Sequence, residues 1–450
     1  MMHKRLRAAK RRNIIKPSIY CYITDIIVVM RVDGLEQVGV SECVITILEA
    51  SVPKHFFFFL AANSLNYLVV AMLSVSLGWH IYQATANPLH LALIGLMQIL
   101  PVFIFFFATG WIVDSFSRKK ILASCAIIDA IVLAGISFLM TNKTLDLFLL
   151  FGCVFVHGTV MALYFPSSQA IIPNIVSENK IRRAIALSST VNNVAQTCGP
   201  LLAGILLALL DVQIYLVMTS LMLVSAFSYT FLPNFHRLNQ TTRSWESILG
   251  GLKFVMSNSI VLGAIALDLL IVLLGSVVAL LPIFATDILK VGPELLGVLR
   301  GMPALGAVVV GVLLASARDM QACGIKLFAA LAVFGVSIIV FGLSTNFWLS
   351  AFALFVYGAS DMVSVNIRLS LIQIATPDHL RGRVSAVNGI FISSSNEMGD
   401  VRSGGVTSAI GPVATVALGG IMAIGVAVGG SILFSKLRKL DKVTDAAVGD

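Results

Sequence analysis

From Phe56 onward, long uncharged apolar runs alternate with short polar loops, and a nearly uncharged run of about 18 or more residues reads as a membrane-spanning helix. The runs that meet this pattern cover residues 56–80, 89–113, 121–141, 147–166, 184–210 and 212–232, then 260–284, 295–317, 324–343, 347–372, 384–407 and 410–434. The eleventh is the most polar, with Asn396, Glu397, Asp400 and Arg402 inside it. It is kept because the alternation of charge between loops requires an even number of spans. The expected fold is therefore an all-α membrane protein of twelve transmembrane helices in two pseudo-symmetric six-helix bundles.

Lys and Arg mark cytoplasmic loops. Loops after even-numbered spans carry thirteen of them, among them Arg118, Lys119, Lys120, Arg381 and Arg383, against four (Lys143, Lys290, Arg300, Arg402) at the odd-numbered ones. The tail adds Lys436, Arg438, Lys439 and Lys442. Both termini are thus expected in the cytoplasm, in a multi-pass membrane protein.

Composition agrees with this reading. Of 450 residues, 58% are hydrophobic and 12% charged, against roughly 45–50% and 25% in a soluble domain, which excludes a soluble enzyme. The formal net charge of +9 is accounted for by the loops and termini, so no nucleic-acid partner is expected; the partner is the lipid bilayer. Six cysteines are scattered without a CxxC spacing and read as small buried hydrophobes.

The halves repeat. Gln169 and Pro173 precede one basic loop, and Gln373 and Pro377 precede another; Arg183, Ala186, Gly199 and Gly204 recur 200 positions later as Arg383, Ala386, Gly399 and Gly404. Asp114 answers to Asp319. The expected domains are an N-terminal cytoplasmic extension over 1–55, a six-helix bundle over 56–232, a linker with an amphipathic surface helix over 233–258, a second bundle over 259–435 and a cytoplasmic tail over 436–450. Trp245, Ile248, Leu249, Leu252, Phe254 and Val255 form the apolar side of the linker helix. An internal repeat of this kind is a mark of transporters.

No phosphate-binding loop, HExxH, nucleophile elbow or paired Cys or His cluster occurs. No cofactor, metal or catalytic residue is expected, and any work must draw on an existing gradient. At the junction of the second and third spans stands GWIVDSFSRK, residues 110–119. Its Gly suits close helix approach, and its acid and bases suit a latch at the cytoplasmic boundary. Gly110, Asp114, Arg118 and Lys119 match the loop signature of the major facilitator superfamily, G-x-x-x-D-R/K-x-G-R-K/R, which the chain resembles over about residues 56–435; Ser115 and Ser117 depart from it. In the fifth span Ala195, Gly199, Pro200, Ala203 and Gly204 resemble the superfamily's antiporter motif, G-x-x-x-G-P-x-x-G-G, with Ala for two glycines. As physics this is a close-packing stripe with a bend; the resemblance implies export. Leu267–Ala307 and Asp378–Gly404 further resemble the enterobactin-exporter-like, or transmembrane secretion effector, branch. That resemblance implies outward movement of siderophores, drugs or other small amphiphiles.

Ionisable residues in lipid are costly and mark function by default. Asp268, Asp361 and Glu397, in spans seven, ten and eleven, are the candidates for taking up a proton from outside and releasing it inward; Asp129 lies in span three. Structural pairing is the alternative for each, since Asp361 and Arg368 share one helical face and Glu397 lies near the outer boundary. Asn66, His157 and Arg368 are candidates for lining a cavity, and helix-to-helix hydrogen bonds are the alternative. The expected function is proton-antiport export of a small organic molecule by a monomer. An importer of the same fold, a membrane enzyme and a sensor are the rivals.

Overall fold

The computed structural model describes residues 53–141, 146–177, 180–233, 245–316 and 321–447. All but the last three residues of the expected 1–55 extension lie outside these, as do Arg237, Arg243 and Asp319. The helices are α1 (Lys54–Thr85), α2 (Pro88–Ile104), α3 (Phe106–Ser115), α4 (Arg118–Thr141), α5 (Leu147–Ile175), α6 (Ile181–Leu210) and α7 (Ile214–Thr230). After them come α8 (Trp245–Ser257), α9 (Ser259–Gly275), α10 (Pro293–Ser316), α11 (Cys323–Leu343), α12 (Phe347–Ala375), α13 (Asp378–Ile410) and α14 (Pro412–Leu433). Asn87, Asp146, Asn258 and Asn346 accept from the free amides that open α2, α5, α9 and α12. Their short side chains satisfy groups that lipid cannot.

Among the described residues, nine helical stretches are long and apolar enough to cross a membrane. The difference from the expected number of spans has local causes. The second span is divided at Phe105 into α2 and α3, where Pro101 lacks an amide and crowds the preceding turn. The fifth and sixth run as one stretch, with only the turn Asp211–Gln213 between α6 and α7. The eleventh is the helix α13, too polar to qualify by hydropathy. The seventh ends at Gly275, and the chain continues through a short turn at Leu281–Ile283 into a π-helical turn, Phe284–Ile288.

Helices before Pro233 pack as α1 on α6 and α7, α4 on α5 and α7, and α2 on α5. The helices after Trp245 repeat the same scheme: α9 on α13 and α14, α11 on α12 and α14, and α10 on α12. Across the two halves, α6 packs on α10 and α2 on α13. Lipid is as apolar as a leucine side chain, so close van der Waals fit holds these helices together. The tightest approach is between α10 and α12, where a Cβ at Gly358 would fall on the carbonyl of Pro303. Large apolar side chains such as Phe148, Trp348 and Leu433 are turned outward, which suits a lipid surround.

Between α6 and α10 the contact lies at Gly204 and Gly297, and between α2 and α13 at Ala92 and Gly404. These positions lie at the end of the molecule that carries the α1–α2 connection. Toward the other end, Ser189, Thr190, Asn193 and Gln196 of α6 and Ser385 and Asn396 of α13 are exposed. A polar helix face inside a membrane protein borders water, not lipid. The halves are therefore closed at one end and separated by a solvent-accessible gap at the other.

Two peripheral expectations change. α8 packs on α13, with Val255 buried in a cluster containing Val261, Val384 and Val387, so the described part of its apolar side, Leu252, Phe254 and Val255, packs on the second half. Gly251 permits the approach, since a Cβ there would crowd the backbone of Arg383. The tail is likewise docked: the backbone carbonyls of Asp441 and Leu440 accept from the first amides of α11 at 3.0 Å each, and Leu437 is fully buried.

Candidate transport site

Asp268 of α9 and Arg368 of α12 form an ion pair, and Asp361, two turns before Arg368 on α12, lies 3.8 Å from the same guanidinium. Their side chains differ in access. Arg368 is 4% exposed, Asp268 13% and Asp361 38%. The guanidinium also donates Nε to the carbonyl of Ser364 at 3.3 Å, so Asp268 and Ser364 hold it while the nitrogen nearest Asp361 makes no hydrogen bond. Asp268, Asp361 and Arg368 line a cavity of about 160 Å³ with apolar walls from Val272, Val365 and Ile372. Asn388 and Asn396 of α13 complete it on the side of the gap. With both carboxyls ionised the trio carries one net negative charge, so it can take a proton or a cation and alter its charge without breaking the Asp268–Arg368 pair. Among the described residues no cluster of His, Cys, Asp and Glu is arranged to hold a metal.

Glu397 belongs to a different group. It follows Asn396 by one residue, about 100° around the helix, and so turns away from the cavity. It lies within electrostatic reach of Arg300, Asp400 and, from the first half, His157. Asp400 accepts from the hydroxyl of Ser276 at 2.5 Å, and Ser403 donates to the carbonyl of Ser276 at 2.7 Å. Arg300 and Arg402, assigned to loop edges from their charge, are inside α10 and α13, where acids compensate them.

The remaining cavity candidates divide. Arg368 lines the cavity. His157 does not: its Nδ1 lies 3.1 Å from Asp129 Oδ1, and both side chains are buried between α4 and α5. Asn66 is buried against α7, with its amide 3.6 Å from the sulfur of Met222. The bland alternative, helix-to-helix bonding, holds for both.

The described contacts of the loop motif lie within the first half. Arg118 donates to the carbonyl of Ala170 at 2.7 Å and to Asn174 at 3.0 Å, and Lys119 donates to the carbonyls of Thr230 at 2.7 Å and Leu232 at 2.5 Å. A cation at the end of a helix offsets its partial negative charge and satisfies its last carbonyls. Arg118 and Lys119 thus tie α4 to the ends of α5 and α7. Lys119→Met is expected to lower the thermal stability of the protein by roughly 0.5–1 kcal/mol, readable as a small drop in unfolding temperature. The side chain of Asp114 lies outside what the structure describes. Gly110 contradicts its expected reason, because a Cβ there would meet nothing within 4 Å.

In the antiporter-like stripe the small residues lie at two interfaces. A Cβ at Gly199 would strike Ala71 and the carbonyl of Leu68 on α1, within the first half, whereas Gly204 and Pro200 face Gly297 of α10, in the second.

Sequence reasoning missed a neutral cluster in the first half. Tyr164 donates to Asn63 Oδ1 at 2.6 Å, the amide of Asn63 donates to Asn192 at 2.9 Å, and the Tyr164 and Tyr229 hydroxyls lie 3.1 Å apart. Asn63 stands 205 positions before Asp268 and Tyr164 stands 204 before Arg368, the same offsets that relate Asp114 to Asp319 and Gln169 to Gln373. Stepping back by the repeat from the charged pair would have found it. A second missed contact, Tyr82 with Asp287, has no signal in the sequence.

Residues 52–448 match the family model described as transmembrane secretion effector. Macrolide efflux protein A of Streptococcus pyogenes is 20% identical over 394 residues, which cover 86% of this chain and 97% of that protein. Enterobactin exporter EntS of Citrobacter koseri is 22% identical, over 84% of this chain and 91% of its own length. Among solved structures, a bacterial homologue of the iron transporter ferroportin in its inward-facing state aligns with a TM-score of 0.65 at 14% identity, covering 86% of this chain and 99% of that one. A bacterial homologue of the human lysosomal transporter Spinster, also inward-facing, aligns with a TM-score of 0.64 at 12% identity, covering 88% and 97%. At these identities the structures show a shared fold.

Proposed function

Because the chain belongs to the transmembrane secretion effector family of major facilitator transporters, and is thus a multi-pass membrane transporter and not an enzyme, we propose that it exports a small organic molecule by proton antiport. Its relatives include proteins named for macrolide efflux and enterobactin export, which supports a siderophore or a drug-like amphiphile as cargo. The membrane crossing is read as twelve spans, counting α2 with α3 as one and including α13, in two bundles over residues 56–232 and 259–435. Both termini face the cytoplasm, as the loop charges require, and the gap beside the Arg118–Lys120 loop opens inward.

The observation that carries the proposal is the trio Asp268, Arg368 and Asp361 at the wall of a gap open to one side. Rocking the halves about the closed end would expose the trio to the other side. Asp361, the most accessible of the three, takes a proton there. Returned inward, it releases the proton as the cavity reloads. Glu397 contributes at the junction of the halves, where its electrostatic partners come from both.

The test is proton-driven efflux from proteoliposomes. Asp361→Asn combined with Glu397→Gln, which keeps the Asp268–Arg368 pair, is expected to abolish pH-driven transport while leaving passive exchange of substrate. Full activity in this double variant would sink the proton roles of Asp361 and Glu397. Accumulation in cells lacking the gene decides direction, because loss of an exporter raises the internal substrate level.

A further inference from the structure

At the closed end α1 meets the turn that follows α9. Tyr82, in the last turn of α1 and 6% exposed, donates its hydroxyl to Oδ2 of Asp287 at 2.5 Å. The residues belong to different halves. Neighbouring contacts between the halves are apolar approaches, of Gly78 to Pro282, Gly204 to Gly297 and Gly404 to Ala92. Such contacts set a distance without a direction. A hydrogen bond to a carboxylate is directional and roughly twice as strong as a neutral one.

Both partners are held in place by their own half. Asp287 sits in the π-helical turn Phe284–Ile288, a rare element that recurs at functional positions. The turn is anchored by Phe284, fully buried, with its ring centroid 4.6 Å from that of Phe341. Thr286 donates to the other carboxylate oxygen at 2.8 Å, which leaves Oδ2 for α1. On the opposite side His80 lies 3.0 Å from both Tyr215 and Asp211, fastening the end of α1 to the first half. Gly78, one turn before Tyr82, leaves room for Pro282. The bond therefore joins two rigid bodies and not two loose ends.

We infer that the Tyr82–Asp287 hydrogen bond is the latch of the closed end, and that its breakage is a step each transport cycle must pass. The inference rests on the alternating-access reading above. Neither residue touches the cavity, so the latch controls which state is populated and leaves the binding site as it is.

Spin labels on Leu89→Cys and Ser408→Cys, at the facing ends of α2 and α13, would report separation of the halves there, in the full chain with its native cysteines replaced by alanine. Tyr82→Phe keeps the ring and removes the donor. It is expected to raise the ratio of separated to closed populations about tenfold. Asp287→Asn, whose amide oxygen still accepts, raises it less, and the double variant raises it no further than Tyr82→Phe. Should Tyr82→Phe fail to fold, Asp287→Ala, at an exposed position, is expected to give the same tenfold change. Two populations in the wild type that stay within twofold of their ratio in these variants would overturn the latch and leave alternating access standing. One distance in every variant, with and without a proton gradient, would overturn both.

Discussion

Arg368→Met is expected to lower the stability of the folded protein by about 3–5 kcal/mol and to abolish the proposed transport. The substitution preserves much of the volume of the side chain, so the loss is not one of packing. It strands Asp268, which is 13% exposed and pairs with Arg368, as an uncompensated charge beside apolar helices. Removing one member of a buried pair costs far more than removing both. Asp268→Asn combined with Arg368→Met is therefore expected to recover most of the stability but none of the coupling. Unfolding in detergent, followed with proton-driven efflux, separates the two effects. Equal stability in the single and double variants would show that the pair contributes nothing to the fold.

The second large effect comes from a single methyl group. Gly358→Ala is expected to destabilise by about 3 kcal/mol, the upper range for overpacking, because its Cβ would overlap the backbone of Pro303 on α10. A flexible side chain could swing aside; a backbone carbonyl moves only if the two helices part. The same substitution at Gly389 of α13, where a Cβ meets nothing within 4 Å, is expected to leave stability unchanged or raise it by up to about 1 kcal/mol through helix propensity. Thermal unfolding of the two variants side by side makes the comparison. A Gly358→Ala protein as stable as Gly389→Ala would mean that α10 and α12 are less closely packed than described.

The inter-half glycines belong to a different class from Gly358. Gly204 and Gly297 touch each other across the halves, and that contact must open if the halves rock. Under the proposed alternating access, substitution there would shift the balance between states, as would loss of the Tyr82–Asp287 bond, whereas substitution at Gly358 acts on the packing of one half.

Asp268, Asp361 and Arg368 are legible as candidates because each is a charge in an apolar run, and a charge in lipid carries a cost that sequence alone reveals. Asn66 and His157 are equally visible in the sequence, which leaves a cavity position and a helix-to-helix contact both open for each. The structure turns the amide of Asn66 toward Met222 and the ring of His157 toward Asp129, partners on other helices that no local pattern names. Glu397 was singled out for the same reason as Asp361, yet one residue of rotation around α13 separates it from the cavity and gives it to Arg300 and Asp400. Among the described residues a Cβ at Gly110 meets nothing within 4 Å, whereas one at Gly199 or Gly204 would strike a neighbouring helix; a stripe of small residues at helical spacing signals close packing more reliably than a lone glycine does.

Hydropathy is a property of consecutive residues. The sequence by itself therefore determined the apolar helices, their order, the basic loops and the doubling of the chain. Which faces meet depends on how each helix is rotated about its axis, and that rotation is decided only when all the helices compete for neighbours at once. Tertiary structure alone thus decided that Arg368 lies between two carboxyls, that the halves are closed at one end, and that Tyr82 reaches Asp287. A hydrogen bond between residues 205 positions apart leaves no trace in the local pattern of either segment.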